Sequence, residues 1–226
     1  NTAVGYQALN KVIGDVSGIG NSNSALGFQA LLNNTTGKEN SAFGVTSLRT
    51  NTTGTSSVAF GYDALRVNST GANNAAFGYR SLRLNSTGIA NTALGFQAGS
   101  SLTTGSYNIA LGQNVDLPSN TDSQQLNIGN LLYGTSLYNG STVSSVPVDT
   151  ALFGIGTTTP GARLSVANGS AVTTPAFLVS TSTASATSTA FVIDSNGRVG
   201  IGTTTPTNQL GVQGSVLSSK IDTYDS

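Results

Sequence analysis

The sequence predicts an all-β fold: a parallel β-solenoid of the β-roll type in seventeen-residue coils, followed by a β-rich, β-prism-like stalk. Three observations predict it. Gly27, Gly44, Gly61, Gly78, Gly95 and Gly112 each close an Asn-x-Ala-x-Gly phrase (Ser57 replaces Asn once) and stand seventeen residues apart. A second glycine, ending a Thr-Gly pair, keeps the same step at Gly37, Gly54, Gly71, Gly88 and Gly105. Helix is a poor alternative, because Gly recurs throughout and an Asn-Thr-Thr-Gly or Asn-Ser-Thr-Gly break ends each unit.

Composition narrows the function classes. Of 226 residues only 8 % are charged, and nine acidic side chains balance nine basic ones. Zero net charge removes the usual electrostatic case for nucleic acid or an anionic membrane. Without Cys there is neither a disulfide nor a thiolate metal site, and without His the commonest acid–base group and metal ligand are missing. No catalytic, metal or cofactor site is therefore expected. No apolar run approaches the roughly 20 residues that cross a bilayer. The chain begins with neither Met nor a signal peptide, so it reads as a piece of a longer protein.

The first element is Asn1–Leu9, one more copy of the phrase, offset by about five extra residues around Lys11–Gly18. Aligned by column, the copies place Asn1, Asn23, Asn40, Asn74, Asn91 and Asn108 four residues before the reference Gly. Two before it stand Ala3, Ala25, Ala42, Ala59, Ala76, Ala93 and Ala110. The large residues Leu26, Phe43, Phe60, Phe77 and Leu94 precede it directly, and Phe28, Val45, Tyr62, Tyr79 and Phe96 follow it. Strand alternation sends the large and small columns to opposite faces, and neither is polar. A strand apolar on both faces expects cover on both. Seven coils at the strand spacing would form a rod about 30 Å long, each coil a thin turn of two strands.

The turn Asn34-Thr35-Thr36-Gly37 recurs at Asn51, Asn68 and Asn85. Its Gly is expected at the positive φ of a tight turn, with Asn and Thr bonding local backbone. All four are also Asn-x-Ser/Thr glycosylation sequons, although a stacked polar turn accounts for them. Stacked Asn side chains can also bond along the solenoid. Arg49, Arg66 and Arg83 share a column, with Arg80 nearby and Asp63 offset; like charges at strand spacing should splay into water. Such a column suits a solvated edge that discourages aggregation, or a stripe for an acidic glycan or nucleic acid.

After Gly112 the rhythm is expected to stop. The three expected regions are a head over 1–116, a cap or linker with short strands over 117–150, and a stalk over 151–226. Leu126–Tyr138 suits two short strands. Phe153-Gly-Ile-Gly-Thr-Thr-Thr-Pro160 returns as Val199-Gly-Ile-Gly-Thr-Thr-Thr-Pro206 after 46 residues. Phe191–Val199 reads as a hairpin turning at Asp194–Gly197, and Ser180–Thr189 as an exposed linker.

The Asn-Ser/Thr-Ala-φ-Gly phrase resembles the head repeats of YadA-like trimeric autotransporter adhesins, over about residues 1–116. The resemblance implies a left-handed parallel β-roll in which three chains share an axis, although a seventeen-residue step is longer than the repeat usual there. The Gly-Ile-Gly-Thr-Thr-Thr-Pro segments look like β-rich modules of phage tail fibres and large bacterial surface fibres, which implies a homotrimer again. Independently, the second apolar face needs a partner chain or another layer; an isologous dimer would also cover it.

Together these features point to a structural or adhesive fibre, displayed at a bacterial surface or on a virion tail. Its partners are then further copies of itself, up to a filament, and a host-surface or glycan ligand. A solenoid polysaccharide depolymerase is the enzymatic alternative, needing a carboxylate pair from Asp15, Glu39, Asp63, Asp116 and Asp122. An ice-binding Thr face and a calcium loop at Asp194–Gly197 are two further readings.

Overall fold

The computed structural model describes residues 1–13, 20–136, 151–166, 175–183 and 186–213, with backbone alone at 180–183 and 186–189. Residues 14–19, with Asp15, and residues 137–150 of the expected 117–150 linker lie outside the described residues. The described residues are all-β with no helix, and the chain divides into two compact units, Asn1–Ser165 and Val166–Ser226.

In the first unit each coil contributes one three-residue strand. These are β1 (Thr2–Val4), β2 (Ser24–Leu26), β3 (Ser41–Phe43), β4 (Val58–Phe60), β5 (Ala75–Phe77), β6 (Thr92–Leu94) and β7 (Ile109–Leu111). Each pairs in parallel with the next, Ala on Ala, as in Ala42↔Ala59 and Ala59↔Ala76. The expected second strand per coil is absent among the described residues; the rest of the circuit is turn. Its backbone nevertheless bonds from coil to coil, as Leu31 N–H does to Ser47 O at 3.0 Å and Thr35 N–H to Thr52 O at 2.9 Å. Every coil is thus tied to its neighbours around most of its circuit, which satisfies polar backbone that a strand would otherwise pair.

The small column faces inward. Ala42, Ala59, Ala76 and Ala93 are fully buried beside Leu31, Leu48, Leu65 and Leu82. Those leucines take left-handed φ, 52°, 48°, 50° and 48°. Left-handed backbone costs a non-glycine residue about 1–2 kcal/mol, while complete burial of a Leu side chain returns about 1.5–3 kcal/mol. Burial therefore wins, and the leucine closes the bend that a glycine would close without filling the core.

The sheet continues past Gly112, where the sequence rhythm was expected to stop. β8 (Leu126–Ile128) pairs in parallel with β7, placing Asn127 opposite Ala110 and Ile128 opposite Leu111. Gly129 N–H then bonds Leu111 O at 2.9 Å, so a coil of the same length stacks there with Gln125, Asn127 and Gly129 in the Asn, Ala and Gly places. The chain next reverses: β9 (Leu132–Thr135) runs antiparallel to β8, and β10 (Leu152–Ile155) antiparallel to β9. β11 (Leu164–Val166) lies beside β10.

The second unit is a four-stranded sheet, β12 (Phe177–Thr183), β13 (Ala186–Ile193), β14 (Val199–Ile201) and β15 (Leu210–Val212). Ser180–Thr183 and Ala186–Thr189 are paired antiparallel strand, so this segment is not the expected exposed linker. Thr and Ser have two-way hydrogen-bonding backbone like any residue, and β-branched Thr suits a pleat. The two Gly-Ile-Gly-Thr-Thr-Thr-Pro copies fold alike. Phe153 N–H bonds Arg163 O at 3.0 Å, and Val199 N–H bonds Gln209 O at 2.8 Å.

Candidate functional site: the outer strand face

Two apolar ranks stand on the outward side of the solenoid. Leu26, Phe60, Phe77 and Leu94 form one; Phe28, Val45, Tyr62 and Phe96 belong to the other, with Tyr79 half-buried between them. Phe60 is 41 % and Tyr62 45 % exposed, against complete burial of Ala59 on the same strand. Phe43, Phe60 and Phe77 stack with centroids 4.5 and 5.5 Å apart, and Tyr62, Tyr79 and Phe96 at 5.3 and 5.0 Å. All four pairs lie within 13° of parallel. Each ring thus spends its faces on the coils above and below, a contact of about 0.5–1.5 kcal/mol per pair, and turns its edge to solvent.

The ranks are held one residue either side of a glycine because that glycine is where the strand bends. Gly44 has φ +137°, and a Cβ there would lie 2.6 Å from the Gly61 carbonyl carbon and closer to its oxygen. Gly27, Gly61, Gly78 and Gly95 repeat the arrangement; at Gly112 a Cβ would instead meet the Val115 side chain at 2.8 Å. The other glycine column corrects its expectation. Gly37, Gly54, Gly71, Gly88 and Gly105 are not among the positive-φ residues. They are needed for closeness instead, since a Cβ on Gly54 would overlap Gly71 O and Asn51 Oδ1.

Two asparagine columns line the interior around that closeness. Asn23, Asn40, Asn74, Asn91 and Asn108 are buried. Asn40 Nδ2 donates to Gly54 O at 2.8 Å, while its Oδ1 accepts the Ser57 N–H at 3.0 Å. Asn74 and Asn91 do the same with Gly88 O and Gly105 O and with the next coil's backbone. The turn asparagines Asn34, Asn51, Asn68 and Asn85 are fully buried and bond each other, Asn51 Nδ2 to Asn34 Oδ1 at 2.7 Å and Asn68 Nδ2 to Asn51 Oδ1 at 2.9 Å. A glycan cannot be attached to an amide so placed. Folded protein offered to an N-glycosyltransferase should gain no mass at these four sequons, whereas urea-unfolded chain should; modification of the folded form would overturn the ladder.

The charged column differs from its expectation too. Arg66 and Arg80 converge on Asp63, Nε to carboxylate oxygen at 3.6 and 3.8 Å. Asp63 is only 4 % exposed and also accepts a hydrogen bond from Thr46 Oγ1. Arg49 Nε donates to Gln29 Oε1 at 3.1 Å. These side chains lie down along the coil, half-buried, because neighbouring columns supply acceptors that offset the repulsion within the rank.

Glu39 is exposed, paired with Lys38 at 3.8 Å and accepting from Ser56 Oγ at 3.0 Å. Asp116 accepts the Ser101 N–H, and Asp122 is exposed near the end of the solenoid. At the Asp194 turn the carboxylate accepts N–H groups of Asn196 and Arg198 and the Arg198 guanidinium at 2.7 Å. Burial works to raise the Asp194 pKa, but those bonds and the adjacent positive charge together hold it below the usual carboxylate range. The Asp194 carboxylate is thus committed to its own turn and to Arg198. Among the described residues no three His, Cys, Asp or Glu gather as a metal site, and none forms a helix long and apolar enough to cross a membrane.

The fold and face together define a parallel β-solenoid-like repeat protein with an unpartnered aromatic side. Compared with known protein families, curated proteins and solved structures, the chain matches none.

Proposed function

We propose that the chain is a non-catalytic structural and adhesive fibre of an extracellular surface, in which three copies bury their outer strand faces around a common axis. The observation that carries this reading is the pair of continuous aromatic ranks, several coils long and about half exposed in the single chain. Soluble monomers rarely leave an apolar patch of that extent to water. Ring edges presented at a fixed repeat suit interdigitation with an identical repeat, since the same spacing recurs on the partner. The second unit and its approach repeat the theme: Leu164 and Leu210, each about 60 % exposed, occupy equivalent places after the two Gly-Thr-Thr-Thr-Pro loops, as a stalk of several chains would use them. A virion tail fibre would use the same assembly and differ in where it is displayed.

Light scattering coupled to size exclusion tests the reading. The purified chain should run at three times its 22.7 kDa. Phe60→Asp with Phe77→Asp should return it to a single chain while circular dichroism remains β-type, because those side chains face outward. A wild type that is monomeric at all concentrations overturns the proposal.

A further inference from the structure

We infer that the arginine rank beside the aromatic face is a binding strip for a linear acidic polysaccharide lying along the solenoid axis. Arg49, Arg66 and Arg83 repeat at the coil spacing, about 4.8 Å, and Arg80 reaches the same strip, since it and Arg66 share Asp63. The strip is therefore four guanidinium groups against one carboxylate, in a chain whose net charge is zero. That carboxylate is buried and committed beneath them.

The interactions of these side chains run through Nε, and their terminal nitrogens are unspent. Among the described residues the side chains of Arg66, Arg80 and Arg83 make no hydrogen bond, and that of Arg49 uses only Nε. Arg80 Nε is buried and faces Asp63 at 3.8 Å, so it is closed to a ligand, while the guanidinium rests 4.9 Å from the Tyr79 ring centroid. Guanidinium groups take carboxylates and sulfates by paired N–H bonds, so an anionic group over this strip would complete donors that the protein leaves open.

A second copy of the chain does not supply that anion. Glu39, Asp63, Asp116 and Asp122 fall in four different columns, so no acidic rank exists among the described residues to meet a basic one. A polymer with one carboxylate on each pyranose ring does offer charges at a repeat near the coil spacing. Nucleic acid is a poorer match, its charges falling about every 1.7 Å along a duplex. Sugar stacking on the neighbouring aromatic ranks is not part of the interaction, because the ring faces are already covered by each other.

The inference takes its setting from the fibre reading, and light scattering on the same sample reports assembly separately from binding. The test is titration of the intact protein with polygalacturonate oligomers at low salt and at about 0.15 M, with neutral dextran and a single-stranded oligonucleotide in parallel. Binding to polygalacturonate that weakens with salt, with no response to dextran, is expected. Arg49→Gln with Arg83→Gln, which leaves the Asp63 cluster intact, should lower affinity about tenfold without changing the thermal midpoint or the oligomer. Lys38→Gln, in another column, should bind like wild type. No binding at low salt, equal binding by the double variant, or tighter binding of the oligonucleotide would each overturn the inference.

Discussion

Gly44→Val should prevent the solenoid from stacking through its third coil, at a cost of about 4 kcal/mol or more. Two penalties coincide there. Backbone at φ +137° is nearly closed to any residue with a Cβ, and the Cβ would be driven against the Gly61 carbonyl. The obstacle is backbone, itself bonded into the next coil, so no side-chain rotation relieves it. Gly44→Ala should already show most of the loss. Gly161→Ala is the control, since nothing lies within 4 Å of a Cβ there and its φ is ordinary; it should change stability by less than about 0.5 kcal/mol. Urea unfolding followed by circular dichroism measures all three, and a Gly44→Val protein as stable as wild type would show that the column is not packed as described.

Asn68→Asp should be nearly as damaging, and its damage should depend on pH. Asn68 Nδ2 donates to Asn51 Oδ1 and Gly71 O, both at 2.9 Å, and its Oδ1 accepts from Asn85 Nδ2 at 3.1 Å. The carboxylate keeps the acceptor but loses both donor bonds, and it faces two oxygens in a fully buried place. Each buried group left unpaired costs about 1–3 kcal/mol, before desolvation of the charge is added. Burial among acceptors raises the folded-state pKa above the unfolded value of about 3.9. Protons then bind the folded form more tightly, so the variant loses stability as pH rises from the unfolded pKa through the raised one, and regains part of it on acidification. Asn68→Ala has no such pH dependence and should cost about 2–4 kcal/mol. Unfolding midpoints at pH 4 and pH 8 distinguish the two; a flat profile for Asn68→Asp would mean that the site is wet.

Much of this was readable from residues. The step between Gly27 and Gly112 announces stacked coils, and the split between Ala and Phe columns announces two apolar strand faces. What could not be read is which face is inside. Ala with Gly suits a crowded axis between chains as well as a narrow interior, and only the closure of each coil around Ala59 and Leu65 chooses the interior. The coil ending at Gly129 was hidden because Asn127 stands where seven coils carry Ala, although Leu126-Asn-Ile-Gly129 keeps the glycine in step. Ser180–Thr189 misled for a related reason: a Ser/Thr/Ala run has no hydrophobic period, and its strand state comes from pairing between β12 and β13.

The sequence by itself determined the period and the parallel register, because identical residues one coil apart can satisfy each other only in register. Tertiary structure alone decided the rest. It turned the Asn-Thr-Thr-Gly glycines from conformational hinges into points of close approach. It buried four sequon asparagines as a ladder, and it drew Arg66 and Arg80 onto Asp63. Each of those outcomes depends on what lies one coil above or below and several columns around, a distance that a list of residues along one chain does not encode.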